Sequence, residues 1–149
     1  MGKEKIEIEN LGELVHKSNY EIEVEENDAN GHLNNSMYGV YAEKIRQKLF
    51  LPRYGFSDKW FNERGFRQVR RELSIFFKKG IEASNKMDVG LELFVEDKIW
   101  FHMIFDFIRP DKNLAAKMYT TDYFMKKKKG IFVPCRKVPQ FFIDAIKNI

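Results

Sequence analysis

A chain of 149 residues, 44% hydrophobic, 32% charged and 15% aromatic with 14 Phe, has the size and composition of one folded domain; two would be cramped, and disorder is not expected. Its 26 basic and 22 acidic side chains leave a net charge of +4, too small by itself to argue for nucleic acid but compatible with a ligand carrying phosphates. The single cysteine, Cys135, excludes an internal disulfide and a cysteine zinc site; Met1 to Asn10 lacks the apolar core of a signal peptide, and no apolar run reaches the roughly 18 residues of a membrane span, so a cytoplasmic protein without metal or cofactor is expected.

Met1 to Lys17 is a polar lead-in to which no element is assigned. Tyr20, Ile22 and Val24 alternate with Glu21, Glu23 and Glu25, the pattern of a half-buried strand from Tyr20 to Glu26. From Asn35 to Leu49 the spacing becomes helical, with Met37, Tyr41, Ile45 and Leu49 forming a stripe widened by Tyr38 and Ala42. Glu43, Lys44, Arg46, Gln47 and Lys48 take the wet face. Gly39, unfavourable inside a helix, hints that something approaches that turn closely. Pro52 and Gly55 end the helix, and Tyr54 to Gly65 reads as an aromatic connector.

Strands follow. Phe66 to Phe77 carries Val69, Leu73, Ile75 and Phe77 on one parity, broken by Arg71. Met87 to Glu96 and Ile99 to Ile108 meet across Asp97-Lys98 at hairpin spacing. Asn113 to Met125 is a long fourth strand, Lys126 to Gly130 a turn, and Ile131 to Pro134 a short last strand. Pro139 opens a C-terminal helix with Phe142, Ala145, Ile146 and Ile149 on one side. This order gives an α+β domain over 1–149, an antiparallel sheet curled around one helix. In the strand from Ile99, Phe101, Met103, Phe105 and Phe107 face one way; Trp100, His102, Ile104 and Ile108 face the other, so the outer face also needs a cover, most cheaply by self-association.

The junction between the first strand and the helix is Glu26-Asn27-Asp28-Ala29-Asn30-Gly31-His32-Leu33-Asn34-Asn35-Ser36-Met37-Tyr38. It puts a carboxylate, an imidazole, several amides and the free N–H groups of a helix N-terminus within a few residues, a mixture that packing does not call for. Plainer roles exist for each residue. Asp28 suits an Asx turn or a cap, Asn34, Asn35 and Ser36 are all good N-caps, and His32 can simply hold the loop.

The run Asp28 to Asn35 followed by Tyr38, within this element order, resembles the hotdog-fold acyl thioesterases, particularly the 4-hydroxybenzoyl-CoA thioesterase group. It is also similar to a segment of the acyl-carrier-protein thioesterases. The resemblance implies a homodimer or dimer of dimers with active sites between subunits, the acyl chain beside the helix and the pantetheine arm reaching the surface. By position, the family's catalytic carboxylate falls on Asp28 and its carbonyl-polarising backbone N–H on Asn35. Many members have Asp-Thr-Asp where this chain has Glu26-Asn27-Asp28; the second acid is retained.

The chemistry of the residues agrees with that carry-over. Thioester hydrolysis needs a nucleophile or a base for water, which Asp28 supplies, and donors aimed at the oxygen that becomes negative, which a helix N-terminus supplies. His32 and Asn34 are supporting residues that position water or hold the loop. Lys78, Lys79 and Arg71, with Arg70 and the lysine tip at Lys126 to Lys129, are the cations available to the phosphates of coenzyme A, although that tip also suits plain solvation. Two other classes stand beside the hydrolase: a hotdog hydratase or dehydratase, and a non-catalytic acyl-binding module. For the hydratase pattern Gly31 stands in place of a proline and His32 falls one residue early.

Overall fold

The computed structural model describes residues 5–7, 18–21, 37–80 and 86–147. Among them, strands β1 (Lys5–Glu7), β2 (Ser18–Glu21), β3 (Phe66–Phe77), β4 (Lys86–Glu96), β5 (Trp100–Ile108), β6 (Leu114–Lys128) and β7 (Ile131–Pro134) form one antiparallel sheet. Its order is β1-β4-β5-β6-β3; β2 also pairs with β4, and β7 with β6. Among the described residues, strand β3 pairs only with β6 and is an edge. The expected strand at Tyr20 overlaps β2, and its continuation through Glu26 lies outside the described residues.

Alternation is strict on β5, where Phe101, Met103, Phe105 and Phe107 are each fully buried and their neighbours half-buried. The β4–β5 turn closes with Asp97 and Lys98 both at positive φ and Ile99 N–H donating to the Glu96 carbonyl at 3.2 Å, as the sequence predicts. At the next hairpin the expectation is corrected. Strand β6 runs on to Lys128, and the turn into β7 is only Lys129–Gly130, where positive φ at both residues matches the twist of the strands better than a five-residue loop. The break at Arg71 is a bulge: the pairing with β6 shifts between Arg70 and Glu72. The extra residue inverts parity, so Val69 faces opposite to Leu73, Ile75 and Phe77 instead of with them.

One helical path crosses the buried face. It begins as α1 (Met37–Ile45), widens to a π turn over Arg46–Phe50 and finishes as α2 (Leu51–Arg53). Leu51 N–H donates to the Arg46 carbonyl, the i−5 bond that defines the widening. Pro52 supplies a reason, since it lacks an N–H for Lys48 and its ring would crowd that carbonyl in an α-helix. The wider turn adds a residue to the period. Phe50, not Leu49, therefore follows Ile45 inward; Phe50 is fully buried and Leu49 is 40% exposed. Pro52 lies within the helix, and Gly55 at positive φ ends it, with Phe56 N–H returning to the Leu51 carbonyl at 2.9 Å.

The helix lies along β5. Tyr38 packs on Phe107 at 5.0 Å and Phe50 on Phe101 at 6.4 Å between centroids; about 18 Å of helix thus matches about 20 Å of strand. The aromatic connector contains α3 (Asp58–Glu63), which sequence spacing alone missed although Ser57 is a good cap: its Oγ accepts from Trp60 N–H at 3.0 Å. The C-terminal helix α4 (Gln140–Lys147) buries Phe142 and Ile146; Ile149 lies outside the described residues.

Candidate active site

Asp28, His32, Asn34 and Asn35 lie outside the described residues; the surroundings of the head of α1 are described. Tyr38, the second residue of α1, touches Phe107 and Phe77, which places the head of α1 over the sheet end where β3 and β5 finish. Burial pushes the Tyr38 hydroxyl up to about 12, opposed by the charge of Arg109. Tyr38 therefore stays a neutral phenol across the physiological range.

Lys78 and Lys79 leave β3 at this same end, their N–H groups both bonded to the Ala115 carbonyl at 2.7 and 3.1 Å. Arg109, which sequence reading passed over, joins them there; its guanidinium donates to the Gly80 carbonyl at 2.9 Å and pairs with Asp111 at 3.3 Å. Three cations thus collect near the helix head. Arg71 is not with them: it lies about 23 Å back along β3, its guanidinium over Trp100 at 4.3 Å on the outer face of the sheet.

Between α1 and the edge strand runs an open groove of about 520 Å³ lined by Gly39, Val40, Glu43, Lys44, Gln47 and Arg70. Among the described residues, a Cβ at Gly39 would meet nothing within 4 Å. Glu43 crosses the groove to Arg70 at 3.7 Å.

Behind the groove is a polar network that periodicity mislabelled. Arg46, expected on the wet face, is 6% exposed because it continues the buried row of Tyr38 and Ala42 at i+4 spacing. Its Nη2 donates to Asp58 at 2.7 Å and Glu43 at 2.9 Å, and its Nη1 donates to Gln68 at 3.1 Å. Gln68 in turn donates to Asp122 at 2.7 Å, and Arg70 reaches the same carboxylate at 3.4 Å. Burial works against the Arg46 charge, but the hydrogen bonds and charges of Glu43 and Asp58 outweigh it and hold the guanidinium above its ordinary value. At Asp122 the balance goes the other way: burial raises its carboxyl above the ordinary range despite Arg70 and Gln68. The signal available in sequence was Asp122 itself, an acid on the buried parity of β6 between Thr120 and Phe124.

A folded value above the unfolded one means that protonating Asp122 favours folding; its stabilising share is complete below about 3.9 and is lost as pH rises through the folded value. Asp122→Asn removes this titration. The stability of wild type relative to the variant is therefore expected to increase as pH falls from neutral toward about 4, measured by urea unfolding at each pH. A pH-independent difference would refute this reading.

His102 lies on the outer face, between Glu96 at 3.2 Å and Thr121 at 3.1 Å, stacked on Phe94. Burial raises the Cys135 thiol, which disfavours the thiolate. Among the described residues no group of three or more His, Cys, Asp or Glu could hold a metal ion.

The sequence model of the thioesterase-like superfamily matches residues 22–145. The chain belongs to that superfamily. Solved structures agree on a hotdog fold. A 1,4-dihydroxy-2-naphthoyl-CoA thioesterase from Synechocystis superimposes with a TM-score of 0.76 at 14% identity over 89% of this chain and 96% of that one. A protein of Aquifex aeolicus gives 0.75 at 23% identity over 89% and 99%, and a Staphylococcus aureus protein solved in complex with CoA gives 0.75 at 15% over 87% and 80%. No curated protein matches the sequence. In this thioesterase-like protein the curled sheet, the helix across its buried face and the cations at the helix head form one α+β unit.

Proposed function

We propose that the protein hydrolyses the thioester of an acyl-CoA or acyl-carrier protein to a free acid and a thiol, with Asp28 as general base or nucleophile and the N–H at Asn35 polarising the carbonyl. The observation that carries this reading is the family match over residues 22–145, which contains the whole segment from Asp28 to Asn35. In the base-catalysed form Asp28 takes a proton from water, the hydroxide adds to the carbonyl carbon, the C–S bond breaks, and the proton passes to the leaving thiolate. His32 and Asn34 hold the loop or the water. Lys78 and Lys79, joined by Arg109, meet the phosphates if the substrate is a CoA ester; Arg71 is the farther candidate. The test is release of free thiol from a panel of aliphatic and aromatic acyl-CoAs by wild type and Asp28→Ala. Turnover lost in the variant supports the assignment, and tight binding without turnover by wild type refutes it.

The working unit in this reading is a homodimer, or a dimer of dimers, formed across edge strand β3. That strand leaves Leu73, Phe76 and Phe77 exposed at 45%, 57% and 45%, and the groove at Gly39 and Arg70 opens beside it. Like charges brought together at a symmetric edge repel, so Leu73→Glu with Phe76→Glu is expected to convert the dimer to monomer in sedimentation and to reduce turnover with it. A wild type that is monomeric and fully active would refute this arrangement.

A further inference from the structure

The β6–β7 hairpin end carries a charge that the reading above does not use. Arg64 and Arg67, Lys126 to Lys129, and Arg136 and Lys137 are all exposed, and the segments 64–67 and 126–137 contain no acid. None of these eight cations has an ion pair among the described residues. They lie some 40 Å along β3 from Lys78 and Lys79, at the far end of the sheet.

Three features select a partner. Lys126 and Lys128 share the parity of Phe124, and Lys127 that of Met125, so positive charge covers both faces of a projecting tip rather than one flat patch or a concavity. At its apex Ile131 is 67% exposed, the most exposed large hydrophobic side chain among the described residues. Cations of this end of the sheet lie over aromatic rings: Arg67 over Phe132 at 3.8 Å, Arg64 over Trp60 at 4.0 Å and Lys126 over Phe66 at 5.6 Å, an arrangement suited to a polar–apolar boundary. We infer that this tip docks on an anionic lipid bilayer, the cations reaching phosphate headgroups on both sides while Ile131 enters the acyl boundary. A nucleic acid would satisfy the charge but leave Ile131 in water. No described helix is long and apolar enough to cross a membrane, so the docking is peripheral.

The test is co-sedimentation of the full chain with phosphatidylcholine vesicles, with and without phosphatidylglycerol. Binding is expected only to the anionic vesicles and should weaken as salt rises. Lys128→Glu with Lys129→Glu should lower the partition at least about tenfold, Ile131→Ser should lower it several-fold with charge unchanged, and Ile131→Trp should raise it. All these side chains are exposed, so melting temperatures should hold. Equal binding to neutral vesicles, no binding, no response to either Ile131 variant, or retention of an oligonucleotide without vesicle binding would each overturn the inference.

Discussion

Asp28→Asn is expected to lower kcat on the best acyl-CoA by about 10³-fold or more, with dimer and melting temperature nearly unchanged. The substitution keeps shape and removes only charge and basicity. A general base contributes about 10²–10⁴, and a nucleophile replaced by an amide has no equivalent. Asn serves an Asx turn or a helix cap about as well as Asp, so a residue present only for the turn would pass this substitution with activity intact. Three outcomes therefore separate cleanly. Turnover lost with stability kept supports the catalytic role; turnover kept refutes it, and loss of both points to a structural role. Asn35→Ala is the control, because it leaves the proposed donor, a backbone N–H, in place and should cost far less than the approximately 10²–10³ typical of losing such a donor.

What could be read in the sequence followed the reach of local rules. Strand alternation from Phe101 to Phe107, the Asp97-Lys98 turn and the edges of β3 depend on period and turn chemistry within a few residues, and they are where the sequence places them. Errors arose where one added residue changes everything downstream. The bulge at Arg71 moved Val69 to the other face, and the π turn before Pro52 exchanged Leu49 for Phe50. The network from Glu43 to Asp122 joins residues far apart in sequence, so no window contains it. The candidate site shows the same division: the pattern from Asp28 to Asn35 is local in sequence and lies outside the described residues, whereas Arg109 comes to Lys78 and Lys79 only because β5 and β3 finish at one end of the sheet.

Phe142→Ala is expected to destabilise the protein by about 3–5 kcal/mol, read as a lower urea midpoint at unchanged slope. The ring is fully buried and packs among those of Phe50, Phe56, Phe61, Phe101 and Phe124, at 6.3, 5.4, 6.0, 5.2 and 5.1 Å between centroids. These neighbours come from the π turn, the loop before α3, α3, β5 and β6, so a cavity there faces five segments that cannot all close on it. An eight-residue helix has almost no stability alone, so α4 stays in place chiefly through Phe142 and Ile146. Phe141→Ala, half-buried in the same turn, should cost less. The cavity would open beneath Phe101, about 20 Å along β5 from Tyr38 and the helix head. Well below its melting temperature the variant should then retain kcat, the reverse of Asp28→Asn. A loss under about 1 kcal/mol would mean that α4 is not part of this core.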